Sequence, residues 1–515
     1  MKIHIKNRRW TKVITSFVVI GMFGCSDSFL QDEKFDGLTD EVVFSSQETI
    51  VAAVTGVYDT FQASPAEYMT KAVFYPANFL TQDYLNIGAD TFFQTFEIPP
   101  TFGAFNNFWI INYRGIGRAN SVLKDLEPAI ENGTVDTELG NRLKGECLAL
   151  RGVLYSLLAS NFGGVPLVLE PAGGSADAFA PRNTQDEVFQ QVALDMEEAA
   201  KSLPWEYDDA NKGRLTRGTA YAYMGGAYMW LGEYEKAITA FEALEGHYEL
   251  EANFSDIHAE VNKNGKESIF EVQLYDNAGD LSWGRSDNVT FIQSFSMPNE
   301  VGNGGGYSAA AKPLYDSFET GDIRKTWSVI GPGEEHPDPL INISDYPNVQ
   351  ESYGGINTNG TVEDPWLGAD GLPGRQGYYN VKMWRNPKVD GWNGPNIFGG
   401  QNLIVLRYGE TRLSLAEAYH RTGNDAKAME LIMEIRNRAG LTTTPTGDMI
   451  DVLISEYRHE LAGEFSLWWL LRRTGEHVRY LQEEFGVTVP NGRDLMPIPQ
   501  EQVDVNPNLT QNPGY

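Results

Sequence analysis

Cysteine is nearly absent: Cys25 and Cys147 are the only two in 515 residues. No disulfide framework can hold such a chain, so its stability must come from an apolar core. Histidine is scarce as well, with seven scattered residues (His4, His247, His258, His336, His420, His459 and His477), and no pair has metal-ligand spacing on one helix face. The acid-rich loop Gly333 to Asp338 lacks the spacing of a calcium-binding EF-hand. No metal and no cofactor is therefore expected. The chain contains no Gly-x-Ser-x-Gly, His-Glu-x-x-His, Cys-x-x-Cys or phosphate-binding glycine loop, which points away from an enzyme. A two-carboxylate glycosidase site is not removed by counting acids, but loop Asp and Glu residues are more often simply solvated.

Positive charge is also in deficit. Forty Lys and Arg face seventy Asp and Glu, a formal net charge of −30. A surface of that sign repels nucleic acid and anionic headgroups at long range and favours a neutral ligand over a polyanion. Long apolar runs are missing apart from one, Val13 to Gly24, which follows Lys2, Lys6, Arg8, Arg9 and Lys12. That run is too short to span a bilayer and has the length of a secretion-signal core. It ends at Met22-Phe23-Gly24-Cys25, a small residue before a cysteine, as a bacterial lipoprotein signal does, although Met22 and Phe23 are bulkier than usual. Residues 1–24 are thus read as a signal peptide and Cys25 as the lipidated residue. The competing reading is an ordinary signal with a chance cysteine. An acylated Cys25 would hold the protein on a membrane at ~0.8 kcal/mol per buried methylene. Cys147 lies in the helical stretch Leu143 to Leu150 and reads as a small buried hydrophobe.

What is present is helical repetition and aromatic loops. From Gly213, the run GRLTRGTAYAYMGGAYMWLGEYEKAITAFEAL follows the 34-residue tetratricopeptide pattern. Tyr221, Gly225 and Tyr228 fall in a first helix, Gly232 and Tyr234 at the turn, and Ala237 and Phe241 in a second. Small residues let the two helices approach, and aromatics fill the groove beside them. A second copy spans Leu415 to Ile435, and weaker ones pair Leu143–Asn161 with Gln185–Leu203 or begin with a helix over Ile454–Arg473. Between 276 and 400 the character changes to Gly-, Pro- and Asn-rich segments such as GNGGGY and SYGGINTNG, broken by short β-capable runs. Residues 62–112 read as a second loop-rich, aromatic stretch. The expected fold is mainly α: a tetratricopeptide-like scaffold of helix pairs (113–275 and 401–475) carrying a large loop-rich insert with short strands, all in one domain over 25–515.

Several motifs, in order along nearly the whole chain, resemble those of the SusD/RagB family of outer-membrane lipoproteins. They are Lys144–Val168, ending in Phe-Gly-Gly-Val-Pro-Leu, and Gly213–Ala237. Val405-Leu406-Arg407-Tyr408-Gly409-Glu410 and Ile435–Leu441 follow. Met496-Pro497-Ile498-Pro499 and the terminal Gln511-Asn512-Pro513-Gly514-Tyr515 close the series. One departure stands out: where the family pattern has Arg and Asp after Glu-Leu-Ala, this chain has Leu467 and Leu470, so a buried polar pair there is in doubt. The resemblance implies a surface lipoprotein that captures oligosaccharide and presents it to a SusC-like TonB-dependent barrel. The repeats would touch the barrel and the insert would hold the sugar. The alternative it allows is the peptide-binding component of an equivalent importer.

A sugar ring offers a C–H face to a flat aromatic and a belt of hydroxyls to Asn, Asp or Arg. Trp283, in Leu281-Ser282-Trp283-Gly284-Arg285, is the first candidate for stacking, because a Trp between Ser and Gly is no amphipathic core position. Trp366, Trp392, Trp109 and Phe93 are further candidates, with Asn78, Asp83, Asn107 and Arg285 as hydroxyl partners. Trp230, Trp468 and Trp469 lie in helical repeats and read as core.

Overall fold

A computed structural model describes residues 40–63, 66–86, 90–171, 179–274, 308–331, 334–339, 378–384 and 401–515, together with Ile292 and Ser296. Helices α1 (Gln47–Tyr58), α2 (Gly103–Glu131), α3 (Thr137–Phe162), α4 (Gln185–Ser202), α5 (Arg217–Trp230) and α6 (Tyr234–Glu242) form the first run of the scaffold. Helices α7 (Tyr408–Arg421), α8 (Asp425–Arg438), α9 (Met449–Glu460) and α10 (Leu467–Thr474) continue it. Each packs on its neighbours: α1 on α2, α2 on α3, α3 on α4, α4 on α5, α5 on α6, α6 on α7, and α7 on α8 and α9. A structure built from nearest-neighbour contacts is what repeating helix pairs produce.

Local chemistry sets the helix ends. Ser46, Thr184 and Thr216 each accept a hydrogen bond from the backbone N–H three residues on, and the third residue answers in return, as reciprocal caps. Asp136 and Asp448 cap α3 and α9 through their carboxylates. The α5–α6 hairpin has the expected steric basis: a methyl at Gly225 would sit 2.5 Å from the Phe241 ring, so glycine there sets how closely the helices approach. Ala237 and Phe241 are buried in the seam.

The terminal motifs meet in space. Asn512 donates to the carbonyls of Phe162 (3.0 Å) and Met496 (2.7 Å), and Gln511 donates to that of Ile498 (2.8 Å). Arg182 donates to the Asn512 side chain at 2.7 Å and to the Gly164 carbonyl at 2.7 Å. The C-terminus is thereby clasped to the turn after α3, with Phe162, Val165, Met496 and Ile498 all buried.

Among the described residues, six short strands lie in and around the insert. β1 (Tyr84–Asn86), β3 (Ser308–Ala310), β5 (Tyr379–Asn380) and β4 (Val329–Ile330) form an antiparallel sheet in that order. β2 (Ser268–Val272) and β6 (Leu403–Arg407) pair antiparallel, Ser268 opposite Arg407 and Val272 opposite Leu403. The chain therefore leaves the scaffold and re-enters it through adjacent strands, a two-stranded neck.

Two expectations change. Residues 62–112 are not mainly loop: they hold a π-helix (Ala66–Phe74), short helices at Tyr75–Phe79 and Phe92–Thr95, β1 and the start of α2. Phe105, Phe108, Trp109 and Asn112 form one buried helical stripe, which dense Asn and Gly residues had disguised. The helix expected over Ile454–Arg473 is two helices. α9 ends at Glu460, and Gly463 adopts φ 73, a left-handed conformation that turns the chain into α10.

Candidate ligand-binding face

Four of the candidate sugar contacts belong to the interior. Phe93 is fully buried in a cluster with Tyr75, Phe79, Phe102 and Phe105, and Trp109 packs against Phe162 and Tyr113 with 5% exposure. Neither ring offers a face to a ligand. Asn78 donates to the carbonyls of Phe74 (2.9 Å) and Glu464 (2.7 Å), tying its segment to the α9–α10 turn. Asp83 accepts from Arg458 (2.7 Å) and from the Tyr480 hydroxyl (2.9 Å) in a buried cluster. Burial raises its pKa against the pull of Arg458. These residues hold the frame. Asn107 lies half-buried on α2. Trp283, Arg285, Trp366, Trp392 and Cys25 lie outside the described residues. Trp468 is fully buried, while Trp230 and Trp469 pack half-buried against the core.

Beneath the insert lies a connected set of buried charges. Arg407, at the end of β6, grips the Glu464 carboxylate with two hydrogen bonds (2.7 and 2.8 Å) and donates to Glu460 (2.7 Å) and Glu267 (2.8 Å). Arg438 bridges Glu267 (2.7 Å) and Glu460. The insert supplies the rest. Lys382 reaches Glu464 at 2.9 Å, and Arg324 pairs with Asp322 (2.7 Å) and Glu456 (2.8 Å). Arg436 of α8 binds Glu456 and, at 2.7 Å, Glu319. Burial alone would raise Glu464, but Arg407 and Lys382 hold it well below the carboxylate range. Burial pushes Lys382 down to about 8. Buried pairs of this kind add little net stability over a packed apolar core, but removing one partner is costly, so they fix relative orientation. Here they lock the insert segments that carry Glu319 to Arg324 and Lys382 to α8, α9 and the α9–α10 turn. Leu467 and Leu470, the departure noted in the sequence, are buried among apolar neighbours, and the polar cluster is built from other residues. Arg407, Arg436 and Arg438 stand inside the quoted motifs, so their presence was visible in the sequence while their partners were not.

Two clefts open beside this frame. One, of ≈ 750 Å³, is floored by Phe254, Phe318, Ile323 and Trp327 and rimmed by Asn253, Ser255, Thr320 and Lys325. Trp327 is half-buried in the short helix Arg324–Ser328, resting on the cluster of Phe254, Ile257 and Ile404. Its neighbour Lys325 lies 3.5 Å over the Tyr315 ring. Rings beside amides and hydroxyls match the two sides of a sugar. Trp327 escaped the sequence reading; a Trp flanked by Thr and Ser was the available signal. The other cleft, ≈ 660 Å³, is lined by Trp205, Tyr248, Asn262 and Asn264. Trp205 is already stacked on His247 (3.6 Å) and Tyr221 (5.7 Å), which leaves less ring for a ligand. Among the described residues no helix is long and apolar enough to cross a membrane.

Comparison with known proteins agrees with this architecture. Residues 266–515 match the SusD family model, and 28–229 match the family described as starch-binding associating with outer membrane. A SusD-like protein of Formosa agariphila is 25% identical, over 99% of this chain and 100% of its own length. A solved laminarin-binding SusD-like protein is 25% identical with a TM-score of 0.74, covering 92% of this chain and all of its own. Surface glycan-binding protein A from Bacteroides thetaiotaomicron, solved in complex with laminarihexaose, shares the fold at 21% identity and TM-score 0.70, covering 91% of this chain and 99% of its own. With family matches over both halves, relatives aligned along their full length and a common helix-pair architecture, the chain belongs to the SusD family.

Proposed function

We propose that this protein is a cell-surface glycan-binding lipoprotein, anchored in the outer membrane through Cys25, that captures a neutral oligosaccharide or polysaccharide and delivers it to a SusC-like TonB-dependent transporter without cleaving it. The observation that carries the reading is the buried charge network joining the insert to the repeats. It makes a rigid frame from which the intervening segments, with Trp283, Arg285, Trp366 and Trp392, can present rings to a sugar. The Trp327 cleft extends that face. The laminarin-binding relative at 25% identity supports a β-glucan-like ligand, and the net charge of −30 favours a neutral one. Each stacked ring contributes on the order of 1 kcal/mol beyond buried area, so two or three give weak binding suited to a handover.

Calorimetry of the mature protein with laminarin and other neutral glucans tests the reading, with recovery of the glycan after long incubation. Saturable binding and uncleaved recovered sugar are expected; a shortened product would overturn the non-enzymatic assignment. Trp283→Ala should weaken binding at least tenfold while leaving the melting temperature nearly unchanged, and an unaltered affinity would remove Trp283 from the site. Binding of peptides but of no glycan would favour the peptide-importer alternative.

A further inference from the structure

The Trp327 cleft and the buried charge network share residues. Glu319 and Asp322 line the cleft while pairing with Arg436 and Arg324 of the network. On the cleft floor, the Phe254 ring packs over two more of its cations, Lys382 at 4.1 Å and Arg438 at 5.2 Å. Most of the network is sealed. Glu267, Asp322, Glu456, Glu460 and Glu464 expose 6% of their side chains or less, and so do the cations they bind, Arg436 among them. Glu319 is the member that reaches solvent, with 46% of its side chain exposed. The charge that this network shows to the cleft is therefore a carboxylate. The cleft's own cation, Lys325, is turned to the Tyr315 ring at 3.5 Å, and Tyr315 is not part of the lining.

The polar groups of the cleft are held in place before any ligand arrives. Arg436 donates from both terminal nitrogens to the two carboxylate oxygens of Glu319, at 2.7 and 3.1 Å. Those bonds keep the Glu319 pKa below the ordinary carboxylate value, so it is ionised at neutral pH. On the rim, Asn253 and Ser255 both donate to Asp256, at 2.9 and 3.1 Å. Groups fixed in this way bind without first having to be ordered.

We infer that Glu319 is the specificity-determining residue of this cleft: it accepts a hydroxyl of an uncharged sugar and turns away sugars that carry a carboxylate or a sulfate. The inference rests on the glycan reading above and adds to it the group that selects. An ionised carboxylate only accepts hydrogen bonds, and a hydroxyl that donates to it makes a stronger bond than one donating to a neutral acceptor. An acidic sugar in the same place brings two like charges within a few ångströms in a partly desolvated cleft. Arg436 offers that sugar no compensation, because it is spent on Glu319 and Glu456. The net charge of −30 acts on ligands over long range and is screened by salt, whereas this effect is local.

Calorimetry of the mature protein tests the role, with laminarin and with laminarin oxidised at C6, where carboxylates replace the primary alcohols. Sodium chloride at about 0.5 M shortens the reach of the overall charge to about 4 Å. Under those conditions the oxidised glucan should bind at least tenfold more weakly than laminarin. Glu319→Gln should narrow that gap at least fivefold, while Glu319→Asp, which keeps the charge, should preserve it. Glu235→Gln removes the same charge from an exposed position on α6, away from the cleft, and should leave the gap as it is. Thr320→Lys places a cation on the exposed rim without touching Arg436; it should also narrow the gap, and it carries the test if Glu319→Gln does not fold. The inference is overturned if the wild-type protein binds both glucans equally, if the gap survives in folded Glu319→Gln, or if Glu235→Gln narrows it as much. Laminarin left unbound by the wild-type protein would sink the glycan reading as well; laminarin bound with a gap that ignores Glu319 would sink this role alone.

Discussion

Removing the Trp109 indole would empty a site packed edge-on against Phe162 at 5.4 Å and tilted over Tyr113 at 5.1 Å. Trp109→Ala should cost about 3–5 kcal/mol in urea unfolding, with glycan affinity of the folded fraction unchanged, the reverse of what Trp283→Ala should do. Glu410 gives a pH signature. Its folded pKa, raised by burial to about 7, lies above the ordinary value of 4.5. Between those values the unfolded chain ionises while the folded one keeps its proton, so this residue's contribution falls as pH rises and is fully unfavourable above about 7. Glu410→Gln should therefore stabilise the protein by about 1–2 kcal/mol at pH 8, after discounting for partial solvent contact, and by almost nothing near pH 4. Thermal melts at the two pH values check it. At this scale the sequence was least legible. Asn78 and Asp83 stand beside turn-forming residues and look like loop polar groups, yet their partners, the Glu464 carbonyl and the Arg458 guanidinium, lie more than 370 residues away in the chain. Nothing local announces such a contact.

Among the elements, the neck and the charge network decide how the insert is held. Arg407 sits at the junction of both, opposite Ser268 in the strand pair and bonded to three glutamates. Arg407→Ala would leave Glu267, Glu460 and Glu464 with less counter-charge in a buried site, and a loss of about 3–5 kcal/mol is expected. Chemical denaturation measures it; a loss below 1 kcal/mol would show that Lys382 and Arg438 suffice. The helix pairs were legible because small and aromatic residues recur with a helical period, as at Gly225, Ala237 and Phe241. The break between α9 and α10 was not, because the apolar period runs through it and only Gly463 marks the turn. The short strands of the insert were visible as a composition, while their order β1-β3-β5-β4 depends on non-local pairings, such as Tyr84 with Ala310 and Ala309 with Tyr379.

For the molecule as a whole, the order of motifs from Lys144 to Tyr515 made the family readable, and the structure explains why those motifs travel together: the Phe-Gly turn, the Pro-Ile-Pro segment and the terminal Asn512 form one clasp. The proposed attachment to the membrane through Cys25 is tested in the cell. Cys25→Ser in the expressing bacterium should move the protein from the detergent phase to the aqueous phase in Triton X-114 partition, and retention in detergent would exclude Cys25 as the anchor. The neck has a last consequence. Because β2 and β6 lie side by side, about 5 Å apart, the excursion departs and returns at one place, and closing a longer one costs little more than closing a short one. The stretch between Val272 and Leu403 can behave as an interchangeable cassette. A graft from a relative with another diet should dock on the same helices, provided it brings its own equivalents of Asp322, Arg324 and Lys382 and a strand to pair with β1.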